Sequence, residues 1–144
     1  MVKEWLKQGR KLKFEIDALK EARQKALNSA VGGAANYSRE RVQASNSNAQ
    51  ERNFASYSDY CVELEHRIKE LENHRWDMLR VINAIPDTAD GGNGSVYRTL
   101  LIEYYINCKT WEEVAEKMMY SIRALFRIHT RALDQAEMVY KQLL

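Results

Sequence analysis

Arg123, Arg127 and Arg131 recur at every fourth position near the end of the chain, and no carboxylate occurs between Ser121 and Leu133. On an α-helix that spacing lines guanidinium groups along one face. Such a face can recognise anions. A helix carrying it can enter the major groove of duplex DNA, where guanidinium groups reach phosphates or guanine edges. Ile122, Phe126 and Thr130 share this segment and complete the expected DNA-facing set. The competing reading is a plain helical hairpin whose arginines only keep one face wet.

Other residue types capable of chemistry are present but scattered. His66 and His74 lie among Glu65, Glu70 and Glu72 in a segment that reads as a solvated helix flank. His129 falls within the arginine-bearing segment, where contact with phosphate and packing between helices are both open. Cys61 and Cys108 have no neighbouring cysteine or histidine at zinc-ligand spacing, so they read as reduced, semi-buried thiols, with a disulfide left open. Glu112, Glu113 and Glu116 have a sufficient electrostatic reason to stand in the first turns of a helix. Asp90–Gly94 has neither a following lysine nor a flanking strand, and so is not a phosphate-binding loop. No nucleophile–base–acid set assembles; the expectation is a protein without enzymatic activity, metal or cofactor.

The elements that must position the arginines are legible nearby. Thr110 followed by Glu113 is a capping-box pattern, and Val114, Ala115 and Met118 repeat at helical spacing behind it. Met119-Tyr120 reads as the turn. Ser121 reads as the N-cap of the next helix, in which Leu125, Ile128, Ala132 and Leu133 form the inward stripe. Ser95–Cys108 holds enough apolar surface for a supporting helix against which Trp111 packs; a nucleic-acid stacking role is the alternative for that ring. Three helices in about fifty residues can enclose a small core with little stability to spare.

Upstream, residues 2–30 read as a helix, with Trp5, Leu12, Ile16, Leu19, Arg23 and Ala26 on one face. Val31-Gly32-Gly33 reads as its stop, and 31–53 as a polar loop. Next comes a heptad seam of Tyr57, Cys61, Leu64, Ile68, Leu71, Arg75, Met78, Ile82 and Ile85, interrupted only by the arginine. Its partner is either the N-terminal helix folded back or the same helix of a second chain. Self-association as a dimer is the favoured reading, with Tyr57, Leu64, Ile68, Leu71, Met78 and Ile82 as the oligomerisation residues. Pro86 ends this helix, and Asp90–Gly94 reads as a flexible joint at a domain boundary. The expected fold is therefore all-α: a long helical hairpin or coiled-coil arm (1–86), followed by a three-helix helix-turn-helix domain (95–144).

The 144 residues carry 22 basic and 20 acidic side chains, a net charge of +2. Charge is weakly segregated: residues 1–25 hold eight Lys/Arg against four Asp/Glu, which makes the first helix basic. That is a modest electrostatic footprint for a nucleic-acid ligand. No run of apolar residues is long enough to cross a bilayer, and the basic N-terminus lacks the apolar core of a secretory signal. A cytoplasmic protein is expected.

The segment from about Ile82 to Leu133, especially INAIPD, LLIEYYINCKTWEEVAEKMMYS and RIHTRAL, resembles a family of small helical proteins encoded by phages and prophages of Gram-positive bacteria. Their C-terminal domain is similar to region 4 of bacterial sigma factors, and a polar connector similar to RVQASNSNAQER precedes their second long helix. The resemblance implies a regulator of late-gene transcription acting in the host cytoplasm. Its partners would be double-stranded DNA, with bacterial RNA polymerase as a further candidate. It also implies that Ile122, Arg123, Ala124, Phe126 and Arg127 face DNA. Ile122 and Phe126 are less polar than that role requires, and DGGNG is an insertion relative to the family. Two other classes compete: a DNA-packaging subunit like a small terminase, which requires a ring, and a helical assembly protein that binds no DNA.

Overall fold

The computed structural model describes the backbone of residues 1–39 and 44–143, and the side chains of residues 1–29 and 58–143. Among the described residues the chain is all-α, with six helices and no strand. They are α1 (Val2–Arg39), α2 (Ala44–Asn83), the single turn α3 (Ala89–Gly92), α4 (Gly94–Leu101), α5 (Trp111–Met118) and α6 (Ile122–Leu143). A π-helical segment, Ile102–Ile106, extends α4. The loop expected over 31–53 is helical in 31–39 and 44–53, leaving only 40–43 outside the description. Alanine, glutamine, glutamate and arginine recur in this polar stretch, and all are good helix formers. Polarity without an apolar stripe was misread there as loop.

The chain divides into two compact units, Glu15–Leu71 and Met1–Phe14 with Glu72–Leu144. The first is a pair of helical segments. Ile16, Ala26, Cys61, Leu64, Ile68 and Leu71 are its buried apolar residues. Arg67 reaches Glu15 at 3.5 Å and Arg23 reaches Glu65 at 3.7 Å, which makes the pairing antiparallel. The seam residues Leu64, Ile68 and Leu71 are thus covered by the chain's own α1. Their side chains are buried within one copy, which is the covering expected of the N-terminal helix folded back. Tyr57 lies outside the residues whose side chains are described.

The second unit holds the larger core. Leu6 of α1, Met78, Val81 and Ile82 from the end of α2, and Ile85 just beyond it meet Tyr97, Leu100, Leu101 and Tyr105, with Val114, Leu125, Ala132 and Ala136 closing the other side. Met78 and Ile82, also assigned to oligomerisation, are buried in this core. Gly9 allows α1 to come close: a methyl group there would stand 2.8 Å from Met78 Sδ and 3.2 Å from the Tyr105 carbonyl oxygen. The segment Asp90–Gly94, expected as a flexible joint, lies inside this unit. A Cβ on Gly94 would fall 1.9 Å from the Pro86 carbonyl oxygen, so the glycine is required by close backbone packing. Arg98 fixes the same corner through the Ile85 carbonyl at 2.6 Å and an ion pair with Asp87.

The π segment ends where the Asn107 amide donates to the Ile102 carbonyl at 2.9 Å. Its last carbonyls need partners, and cations from α1 and α2 supply them. Arg10 donates to the Tyr104 and Lys109 carbonyls at 2.6 and 3.0 Å, and lies over the Tyr104 ring. Lys13 donates to the Asn107 carbonyl at 3.3 Å and Arg75 to that of Ile106 at 2.8 Å. Arg75, the interruption in the apolar seam, is therefore a helix cap delivered from a neighbouring helix.

Candidate functional site

Local hydrogen bonds set the geometry of the arginine-bearing helix. The Thr110 side chain accepts from the Glu113 amide at 3.2 Å, and the Glu113 carboxylate accepts from the Thr110 amide at 3.3 Å, so the capping box is complete. Helix α5 ends at Met119, whose φ of 60° places a non-glycine residue in the left-handed region. The next amide, of Tyr120, donates back to the Ala115 carbonyl at 3.1 Å. Ser121 Oγ then accepts from the Ala124 amide at 3.1 Å and opens α6. Leu125, Ala132, Ala136 and Val139 are the buried face of α6, with Ile128 and Leu133 packed partly against the core.

Ile122, Arg123, Phe126, Arg127, Thr130 and Arg131 are all exposed on the outer side of α6. They do not form one straight row. A four-residue step overshoots a turn by about 40°, so the arginines wind around the helix as it proceeds. Arg127 and Arg131 accordingly line a groove shared with α4, and Arg123 stands apart from it. Among the described residues, neither Arg123 nor Arg127 has a carboxylate partner. Thr130 directs its hydroxyl to the Phe126 carbonyl at 3.1 Å, which leaves it able only to accept from an outside group. Phe126 is 49 % exposed and sets its ring edge-on to Trp111, with centroids 5.2 Å apart.

Trp111 is not free to stack on a base. Its ring lies on Tyr104 with centroids 3.9 Å apart and meets His129 edge-on at 4.8 Å. His129 points into this aromatic cluster, with Nε2 2.7 Å from the Tyr105 hydroxyl. Burial, followed by the positive charge of Lys3, pushes the imidazole down to about 4. Burial also pushes the Tyr105 phenol above its ordinary value. A neutral imidazole held by a phenol is a packing group, so the open question of a phosphate contact by His129 is answered against it.

The acidic side of α5 is organised around Glu103, which lies in the π segment and had no signal in the sequence. Its carboxylate takes ion pairs from Lys109 at 2.7 Å and Lys117 at 2.8 Å. Burial alone would raise the carboxyl pKa; hydrogen bonds from the two lysines outweigh it and hold the group below the usual carboxylate range. One carboxylate is thereby shared by two lysines, which leaves a net single positive charge in the trio. Among the described residues no cluster of His, Cys, Asp and Glu has the arrangement of a metal site, and no helix is long and apolar enough to cross a membrane.

Sequence reasoning missed the α4 side of the groove, where Asn93, Val96 and Tyr97 face Tyr120 and α6. Tyr97 lies 30 and 34 residues from Arg127 and Arg131, and no periodicity connects them. The chain matches no known family model, no curated protein and no solved structure.

Proposed function

We propose that α5, the Met119–Ser121 turn and α6 act as a helix-turn-helix, and that α6 enters the major groove of double-stranded DNA. Arg123 and Arg127 are the principal contacts; Arg131, Thr130, Ile122 and Phe126 lie beside them on the same exposed side. The observation that carries this reading is a pair of exposed guanidinium groups without carboxylate partners, on a helix whose opposite face is firmly buried. Rigid anchoring matters because base contacts depend on side-chain placement, while phosphate contacts fix register. The likeness to sigma-factor region 4 suggests the finer role of a late-gene regulator in a phage, and that role rests on the likeness alone.

The test is binding of the full chain to randomised duplex DNA at about 50–100 mM salt, with sequencing of the retained pool. The expected result is retention with an enriched motif. Arg123→Ala and Arg127→Ala should each weaken binding about tenfold near 0.1 M salt and lower the salt slope by about one. Absence of retention at 50 mM salt, or variants indistinguishable from the parent, sinks the reading. Retention without a motif points to a packaging or nonspecific DNA protein. A second reading, contact with another protein, draws on the exposure of Met119 (89 %) in the turn before α6 and of Phe126 (49 %) near the start of α6. It predicts no binding to DNA at any salt concentration.

A further inference from the structure

The groove between α4 and α6 has a chemistry of its own. Its volume is about 290 Å³, at the small end of the range for sites that hold organic ligands. Arg127 and Arg131 bring two guanidinium groups to it, while Val96, Ile128, Tyr97 and Tyr120 supply apolar and aromatic surface. Asp90 is the nearby counter-charge, but it is already engaged. The Tyr97 hydroxyl donates to one of its oxygens at 2.6 Å and the Gln135 amide to the other at 3.3 Å. The first bond holds the Tyr97 side chain, which Arg131 also approaches, and the two guanidinium groups face the single negative charge of Asp90, so the groove is left net positive.

We propose that this groove binds a small phosphate ester carrying a planar ring, in the class of a nucleoside monophosphate. Arg127 and Arg131 hold the phosphate, because the flat guanidinium fork matches its oxygens in pairs. Tyr120, Val96 and Ile128 cover the ring, since aromatic and aliphatic surfaces accept a base face without reading its edge. The same chemistry exists in a free mononucleotide and in one nucleotide of a DNA strand. The site does not depend on the DNA-binding reading. Where that reading holds, a bound mononucleotide withdraws Arg127 and Arg131 from the duplex and competes with it.

The experiment is a titration of the ¹⁵N-labelled full chain, followed by amide shifts, with adenosine monophosphate, adenosine and inorganic phosphate. A short single-stranded oligonucleotide is a fourth arm. The expected result is saturable shifts from the mononucleotide concentrated at 93–97, 120 and 124–131, with adenosine and phosphate each weaker by at least about tenfold. Arg131→Gln and, as a second variant at an exposed position, Arg127→Gln should each weaken the mononucleotide about tenfold. Tighter binding of the oligonucleotide at the same residues supports the site and assigns its phosphate ester to a strand. Inorganic phosphate equal to the mononucleotide means an adventitious ion only, and overturns the proposal. Shifts spread over surface cations, or none up to millimolar ligand, overturn it as well. Loss of duplex binding in the preceding test, with the groove shifts retained, removes only the competition.

Discussion

At the scale of single residues, the arginines were legible because their type and spacing are written in the chain, whereas the state of His129 was not. Its packing depends on Tyr104, Tyr105 and Trp111, which arrive from other elements. The consequence is a pH dependence of stability. The folded imidazole titrates at about 4, from an ordinary value of 6.5, because burial and Lys3 disfavour its charged form. The unfolded chain therefore binds the proton first as pH falls. The contribution is complete above 6.5, declines below it, and is exhausted below about 4. Between pH 7 and pH 5 the loss from this group is about 2 kcal/mol. Urea unfolding at the two pH values should show it, and His129→Gln should shrink the difference. Equal acid sensitivity in parent and variant would mean that another group titrates. Glu103 acts in a lower window: its depressed carboxyl contributes stability above the ordinary carboxylate range and loses it as pH falls through the folded pKa.

At the scale of elements, local signals served well where the physics is local. The capping box at Thr110 and the Ser121 cap formed as their spacing predicts, since each needs only a side chain and amides within one turn. The π segment was not legible. It depends on carbonyls being capped by Arg10, Lys13 and Arg75 from distant helices, and Arg75 looked like a flaw in an apolar repeat. The turn between α5 and α6 lacks the glycine that often stands there, yet it adopts the glycine conformation at Met119. A left-handed non-glycine residue costs about 1–2 kcal/mol, and the exposed Met119 side chain offsets little of that. Met119→Gly should accordingly raise stability by about 0.5–1 kcal/mol in urea unfolding, net of the greater entropy of the unfolded chain. The variant should leave the position of α6 and any DNA affinity unchanged. A destabilised variant would show that the methionine makes contacts the folded chain needs.

At the scale of the molecule, the heptad seam is apolar as its spacing indicates, and its described residues are buried within one copy apart from the half-buried Arg75. Periodicity states that a stripe must be covered; it does not state by which chain. Leu64, Ile68 and Leu71 are buried in one unit and Met78 and Ile82 in the other, all within a single copy. The glycines of Asp90–Gly94, read as freedom, include one that permits close backbone packing at Gly94. If one chain completes its own core, unfolding is unimolecular and its midpoint does not depend on concentration. An obligate dimer would instead gain about 2.7 kcal/mol of apparent stability over a hundredfold rise in protein, a shift of several degrees in Tm. Thermal unfolding at about 1 and 100 µM should therefore give coincident midpoints. A midpoint that climbs with concentration would mean that a second copy contributes to stability, either by exchange of the α1–α2 pairing or through exposed apolar side chains such as Val62 and Trp76.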